Sequence, residues 1–498
     1  MNFIEVFLPI ASFIIFSLLT MPVANIARTK RRKSAIMLLW FLIIFATVSI
    51  FVANLAVKYY AQMNEKPFLN LTFSRDKGIR MIFSSVFMID AMSIYMAIIF
   101  TVISAITLLY GLLYIDVSEP LSGRYYSLIL LITACVIGVC FSGDFLTLFI
   151  FWEASAVGSG FLMLYERSPR SIHATLKYLI MIIIASAFIV YGLSIIYGLT
   201  GTLNFWAVKH ALTSLRDKHL LILAFIFMAT GYAIESAVVP FHMWLPDAYT
   251  AAPASSSAFL SALIDQGSYY VLLRILVYIL TPPKVLEWRL VFAFLSSLSM
   301  IVGNLLALIE HNIKRLMAYV CIADVGYNLI AITSVTSLGV MGNLYFFFVG
   351  GLTTALSFMT VGILNSAGLK TLRDLSGIGR RMPLTSLALL TAAFSFSGFP
   401  PFAGFFAKYL VFTAAIGAGL SWLALIGVLT SIIQAAYFLR LINYMFARKP
   451  LRKDGLKEPR NLLIPVLILT AAIILLGIYP TIILKLIEPV IQQIPLIP

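Results

Sequence analysis

The chain has 498 residues, of which 61% are hydrophobic and only 11% charged, and its mean hydropathy is +1.01. A soluble domain carries about 25% charged residues, so a soluble catalytic domain, a nucleotide-binding domain and a Rossmann sheet are excluded; at about 20 apolar residues per span, the composition supplies about 14 or 15 membrane helices. The net charge of +15, from 35 Lys+Arg against 20 Asp+Glu, is read as basic cytoplasmic loops beside a lipid bilayer and not as a nucleic-acid surface.

Apolar runs broken by charge, proline or glycine predict an all-α polytopic membrane protein of about fourteen helices. In order they are 3–24, 34–57, 91–114, 124–142, 144–165, 172–197, 219–244, 251–281, 289–309, 314–335, 341–365, 384–412, 419–446 and 461–484. The first lacks a basic stretch ahead of it and reads as a span, not a cleaved signal. Residues 67–90 alternate too strongly for a helix and predict an exterior β-hairpin with its turn near Asp76–Gly78. The seventh segment runs into Pro240 and Pro246, and the twelfth contains Gly398, Pro400, Pro401 and Gly404. Proline removes a backbone donor, and inside a bilayer such breaks survive only beside protein or a water-filled cavity.

The two broken segments are five apart, so they cross in opposite senses. That predicts an inverted repeat and an ion pathway at the breaks; the plainer reading is that the prolines merely kink packed helices. The expected organisation is 1–123 (three helices and the hairpin), 124–281 (first repeat, segments 4–8), 289–446 (second repeat, segments 9–13) and 447–498 (a loop and the last helix). Basic residues gather in alternate loops: Arg28 to Lys33, Arg167 and Arg170, Lys314 and Arg315, Lys370 to Arg381, and Arg448 to Arg460. Placing these loops in the cytoplasm puts both termini outside a cell membrane. The three cysteines, Cys135, Cys140 and Cys321, lie inside apolar runs without C-x-x-C spacing, so no iron–sulfur or zinc site is expected on this chain.

An ionisable side chain at bilayer depth is costly and marks a functional hypothesis. Glu153 lies nine residues past Asp144, about 13 Å into its helix. Glu235 precedes the Pro240 break, Asp265 lies midway along the eighth segment, Asp324 lies within the tenth, and Lys408 follows the twelfth-segment break. Each taken singly reads equally as a structural ion pair or a buried protonated carboxyl. Together they suggest a polar file suited to proton relay. His242 either relays protons or caps the broken helix. His173, His210, His219 and His311 fall near membrane ends.

Four stretches carry a resemblance: GDFLTLFIFWEAS (143–155), ESAVVPFHMWLPDAYTAAPASSSAFLSALIDQGSYYVLLR (235–274), GNLLALIEHNIKRLMAYVCIADVGYNL (303–329) and SGFPPFAGFFAKYLVF (397–412). Collinear over about residues 85–445, they resemble the antiporter-like subunits shared by respiratory complex I, Mrp-type sodium/proton antiporters and archaeal membrane-bound hydrogenases and sulfur reductases. The chain resembles the shorter members, without a lateral helix.

The resemblance implies fourteen helices in inverted repeats. It also implies a path with a glutamate on the fifth segment, lysines on the seventh and eighth, a histidine and lysine on the eleventh, and a lysine or glutamate on the twelfth. Glu153 and Lys408 match. Glu235 and Asp265 stand where lysines are usual, and Gly350 and Thr354 fall where the eleventh segment usually carries its charges. Glu153 then faces an acid, and two acids at close range hold one proton or cation between them.

Two functions follow. In one, this is a non-redox subunit conducting protons or sodium along an altered path. In the other, it is a degenerate, mainly structural subunit. A stand-alone transporter is a third class, disfavoured by the family's obligate complexes. The implied partners are sister antiporter-like subunits, small membrane subunits and, where the complex carries one, a peripheral iron–sulfur module; no cofactor is expected on this chain.

Overall fold

The computed structural model describes residues 3–26, 30–62, 69–72, 86–214, 219–280, 287–450 and 457–493. Two long helices open the chain, α1 (Phe3–Ile26) and α2 (Lys30–Gln62). Strands β1 (Leu69–Thr72) and β2 (Val86–Ile89) follow, paired antiparallel with Leu69 opposite Ile89. The hairpin read from alternation is therefore present; its expected turn lies outside the described residues. Next come α3 (Ala91–Tyr114), α4 (Ser122–Phe141), α5 (Phe145–Met163) and α6 (Pro169–Thr200).

Local chemistry sets these helix starts. Asp90 and Ser93 form a capping box on α3. The Asp144 carboxylate accepts from the Thr147 amide at 2.7 Å, opening α5. Ser168 caps α6 with Pro169 in its first turn. Outside the spans, Lys30 holds the Asp116 carboxyl down to about 2 through a 2.5 Å hydrogen bond.

The first break sits between α8 (His219–Glu235) and α9 (Leu245–Ala251), bridged by a 3₁₀ turn, Phe241–Trp244. The last carbonyls of α8 are not orphaned. Ser236 donates its amide to Tyr232 at 2.9 Å, Val238 to Ala233 at 2.9 Å, and the Trp244 indole reaches the Ile234 carbonyl at 3.1 Å. These bonds let a broken helix persist at membrane depth.

The second break separates α15 (Pro383–Ser397) from α16 (Ala403–Gly417). Gly398 ends α15 at φ +73°, a left-handed cap that glycine adopts without a Cβ clash. Gly404 lies so close to the Ser395 carbonyl that no side chain fits there, so α16 starts directly against the end of α15.

Between the breaks run α10 (Ala254–Phe259) and α11 (Asp265–Leu272), joined and followed by π-helical stretches Leu260–Ile264 and Leu273–Ile279. Then come α12 (Trp288–Ile309), α13 (Ile313–Ser334) and α14 (Ser337–Ser366); α17 (Ser421–Phe446), α18 (Arg460–Ile478) and α19 (Thr481–Gln493) follow the second break. Three details depart from the sequence reading. The short helix α7 (Phe205–Ser214) sits in a predicted connection. The eighth segment has π-helical register on both sides of Asp265–Leu272. The last segment is cut at Tyr479–Pro480, because proline cannot continue the ladder of α18.

Among the described residues, twelve helices are long and apolar enough to cross a membrane, and α8, α15 and α16 are shorter apolar helices. The fold is that of an all-α polytopic membrane protein. Its layers are unequal: 94% of the most apolar stretch is buried in the Ala254–Val277, Ile313–Ser334 and Ser337–Ser366 spans, against 28% in Arg32–Ala61. The outer helices turn Leu39, Ile183 and Leu425 outward, an apolar surface that lipid covers and water would not tolerate. Polar side chains therefore concentrate in the central layer.

One central polar contact was not anticipated. Arg274 and Asp90 form a fully buried ion pair at 2.9 Å, joining the π-helical end of the eighth segment to the start of α3. Asp90→Ala is expected to destabilise the protein by about 3–5 kcal/mol, because it leaves a buried guanidinium without its anion. Denaturation of the detergent-solubilised protein measures this.

Candidate ion path

The path begins between α5 and α6. Glu153 is half-buried, and the Ser186 hydroxyl of α6 donates to its Oε1 at 2.6 Å. The preceding residue, Trp152, is buried and donates its indole N–H to Oε2 of Glu235. Glu235 is the last residue of α8, so the break delivers its carboxyl to the end of a helix in the protein interior. Its Oε1 has no hydrogen-bond partner among the described residues, and neither has the Tyr232 hydroxyl one turn earlier. Glu153 and Glu235 are close enough to interact electrostatically, and the Tyr178 hydroxyl of α6 donates to the Ala156 carbonyl at 2.9 Å. The structure thus gathers the two glutamates with indole and phenol groups around them.

His242 lies buried in the 3₁₀ turn of the break. Its Nδ1 has no hydrogen-bond partner among the described residues, and the Trp244 indole reaches the Ile234 carbonyl near the end of α8. Lys177 stands nearby and is held by Asp247 at 2.7 Å. Pro246 occupies the first turn of α9, where a missing N–H costs nothing.

Asp265 opens α11 and is buried. Tyr249 of α9 donates to its Oδ1 at 2.5 Å, and Ser257 donates to the Tyr249 carbonyl at 2.8 Å. The second break presents Lys408 from α16. Its ammonium donates to Gln434 Oε1 at 2.6 Å and to Ser431 Oγ at 2.9 Å, and it lies 3.9 Å from the centre of the Tyr327 ring. Tyr327 in turn donates to Thr430 at 3.1 Å. A buried ammonium so held satisfies its donors while gaining a cation–π contact. Asp324 of α13 is buried, and neither carboxyl oxygen has a hydrogen-bond partner among the described residues. It shares a cavity with Lys408. Asp324, Gly350, Thr353, Ser395, Gly404 and Lys408 line one small cavity.

Gly350 and Thr354 lie on α14, which has no Asp, Glu, Lys, Arg or His along its length. The Thr354 hydroxyl folds back on the Gly350 carbonyl at 3.0 Å.

Lys314 needs correction. The sequence reading counted it with the basic residues of the cytoplasmic loops, at the start of the tenth segment; it is buried in the first turn of α13 and donates to the Thr250 carbonyl at 3.3 Å and to the Ala252 carbonyl. It faces the C-terminal carbonyls of α9, where a cation is favoured. With Glu166, Arg170, Thr250 and Lys370 it lines a cavity of about 300 Å³ beside the first break. Trp152, Tyr249, Gln434 and Lys314 carried no sequence signal, because each acts through a partner far along the chain.

Residues 142–434 match the family model described as NADH:quinone oxidoreductase/Mrp antiporter, TM. The chain belongs to this family. It is an antiporter-like membrane subunit and a multi-pass membrane protein. It is 31% identical over 396 residues to NADH-quinone oxidoreductase subunit N of Desulforamulus reducens, spanning 79% of this chain and 83% of that one. It is 29% identical over 420 residues to F(420)H(2) dehydrogenase subunit N of Methanosarcina mazei, spanning 80% and 83%. Among solved structures, a chain of the membrane-bound sulfane sulfur reductase, an archaeal respiratory membrane complex, superposes with a TM-score of 0.86 at 26% identity over 98% of this chain and 97% of that chain. A chain of the Mrp complex from Dietzia shares the fold, with a TM-score of 0.83 at 22% identity over 99% and 98%.

Proposed function

We propose that this subunit conducts protons or sodium ions across a cell membrane through the buried file of Glu153, Glu235, Asp265, Asp324 and Lys408, coupled to a redox or antiport module of its complex. The observation that carries this is the placement of these groups. All but Glu153 are buried, and they are spaced through the central layer with hydroxyl, indole and amide side chains between them. Buried charges that served stability alone would be matched in pairs. Here the first half holds acids only, which suits a shared mobile proton or a bound cation.

The breaks supply the ends. The α8/α9 and α15/α16 pairs are each the fourth spanning unit of a five-unit group, 124–281 and 289–446, so we read them as one broken span each, in an inverted repeat of fourteen spans. We read the cavity beside Lys314 as the cytoplasmic mouth; Tyr249, whose phenol donates to Asp265, adjoins Thr250 of its lining. The basic loops at Arg28 to Lys33 and Arg448 to Arg460 support both termini outside. The partners in this reading are sister antiporter-like subunits, small membrane subunits and, in a redox complex, a peripheral iron–sulfur module.

The decisive experiment reconstitutes the complex containing this chain and compares Glu153→Gln, Glu235→Gln and Lys408→Met for ion transport coupled to the driving reaction. Loss in these variants is expected, and undiminished coupling in all three overturns the proposal. The absence of acids, lysine, arginine and histidine on α14 favours the second reading, a structural subunit without a complete path, and that outcome would establish it. Proton and sodium are separated by repeating the assay without sodium. Tyr249→Phe removes the hydroxyl that holds Asp265. A hydrogen bond to a charged group is worth about 1.5–3 kcal/mol, so coupled transport is expected to fall about tenfold or more, with assembly unchanged on a native gel.

A further inference from the structure

Two connections that lie far apart in the sequence meet at the end of the bundle where α15 and α18 start and α17 ends. The connection from α14 to α15 contains two 3₁₀ turns, Arg373–Leu375 and Ile378–Arg380, and the second packs on both α15 and α17. Between the turns, Gly377 donates its amide to the Tyr444 carbonyl at 3.0 Å. Its left-handed backbone, at φ +72°, lies against Pro450 with no room for a side chain. Gly379 packs as tightly on the Phe446 ring. Helix α15 in turn packs on α17 and on α18. One edge therefore carries exposed Arg373 and Arg380 from the first connection, Arg448 and Lys449 beyond the end of α17, and Lys457 and Arg460 at the start of α18.

The chain does not balance this charge. Among the described residues, carboxylates pair with Lys30, Lys58, Lys177, Arg274 and Arg315, and with none of these six cations. The described acids of the two connections, Asp374 and Glu458, are turned to backbone amides: Asp374 accepts from Thr371 at 2.9 Å and Glu458 from Thr385 at 2.8 Å. The Arg448 guanidinium lies 3.7 Å from the centre of the Tyr444 ring, a contact that places the cation without neutralising it. Just below, the same helices turn apolar side chains outward: Leu384 and Leu387 on α15, Phe446 on α17 and Ile464 on α18. The cations thus stand about one helical turn from lipid-facing residues, at the level where headgroups lie.

We propose that this edge binds membrane lipid with an anionic headgroup, the six cations holding the headgroup phosphate while Leu384, Phe446 and Ile464 meet the chains. Clusters of about four to eight Lys or Arg beside a membrane helix attract anionic lipid. An acidic protein would answer the charge but leave the apolar row beneath it unmatched, whereas a lipid answers both. The binding does not depend on whether the buried file conducts ions.

The test places the intact complex in vesicles that carry photoreactive phosphatidylglycerol or, in parallel, photoreactive phosphatidylcholine, and maps the labelled peptides after illumination. Labelling of the peptides carrying Leu384, Phe446 and Ile464 is expected to be about tenfold or more stronger with the anionic lipid. Each basic residue near an anionic membrane surface contributes about fivefold in binding, so Arg380→Gln/Arg448→Gln/Lys449→Gln is expected to lower that labelling about a hundredfold, with assembly unchanged on a native gel. Salt at about 1 M is expected to erase the difference between the lipids. Lys58→Gln, which removes a paired cation at the opposite end of the bundle, is expected to change nothing at this edge. Equal labelling by both lipids, a preference that survives the salt, or undiminished labelling in the triple variant overturns the proposal. So does a loss in Lys58→Gln. Protection of the edge from both lipids by a neighbouring subunit also overturns it and makes that subunit the partner. If the triple variant does not assemble, Arg373→Gln/Lys457→Gln decides: about a twenty-five-fold loss supports the lipid site, and no loss overturns it.

Discussion

Lys408→Met is expected to stop coupled ion transport, lowering it by about a hundredfold or more, while the complex still assembles. Methionine keeps the length and most of the volume of lysine, so the packing of α16 on α15 and α17 survives. What disappears is the buried ammonium that shares a cavity with Asp324, the hydrogen bonds to Gln434 and Ser431, and the cation above Tyr327. Each buried acceptor left without its donor costs about 1–3 kcal/mol, so a moderate loss of stability accompanies the loss of transport. The two effects separate in the assay, because assembly on a native gel reports the first and ion flux in sealed vesicles reports the second.

Glu235→Gln is expected to lower coupled transport about tenfold to a hundredfold. The indole of Trp152 can still donate to the glutamine carbonyl, so the end of α8 keeps its place. In the proposed path the change removes the titrating carboxyl that stands close to Glu153. Activity of the driving reaction, measured with an uncoupler present, is expected to remain, since this chain contributes the ion path and not the chemistry. Full coupling in both Glu235→Gln and Lys408→Met would show that the bundle is a scaffold.

How much of this was legible before the structure depends on the range over which each feature is encoded. The breaks were readable at Pro240 and at Gly398–Gly404, because proline and glycine act on their own backbone. The strands were readable because alternation is local, although their pairing places Leu69 against Ile89 across a long connection. Glu153, Glu235, Asp265, Asp324 and Lys408 stood out because a charge in an apolar run is conspicuous whatever surrounds it. Lys314 did not, because it sits next to other charged residues at a helix start and looks like a loop residue until the carbonyls of α9 are seen around it.

The sequence by itself determined the membrane class, the approximate spans, the family and the identity of the costly charges, since apolar length and residue type are properties of each segment alone. Only the tertiary structure decided which group meets which. Trp152 finds Glu235 83 residues away and Lys408 finds Gln434 26 residues away, in another helix. A helix of mixed apolar and polar faces does not state which neighbour each face will touch. That choice is made when distant helices pack, and with it the difference between isolated buried charges and a connected file.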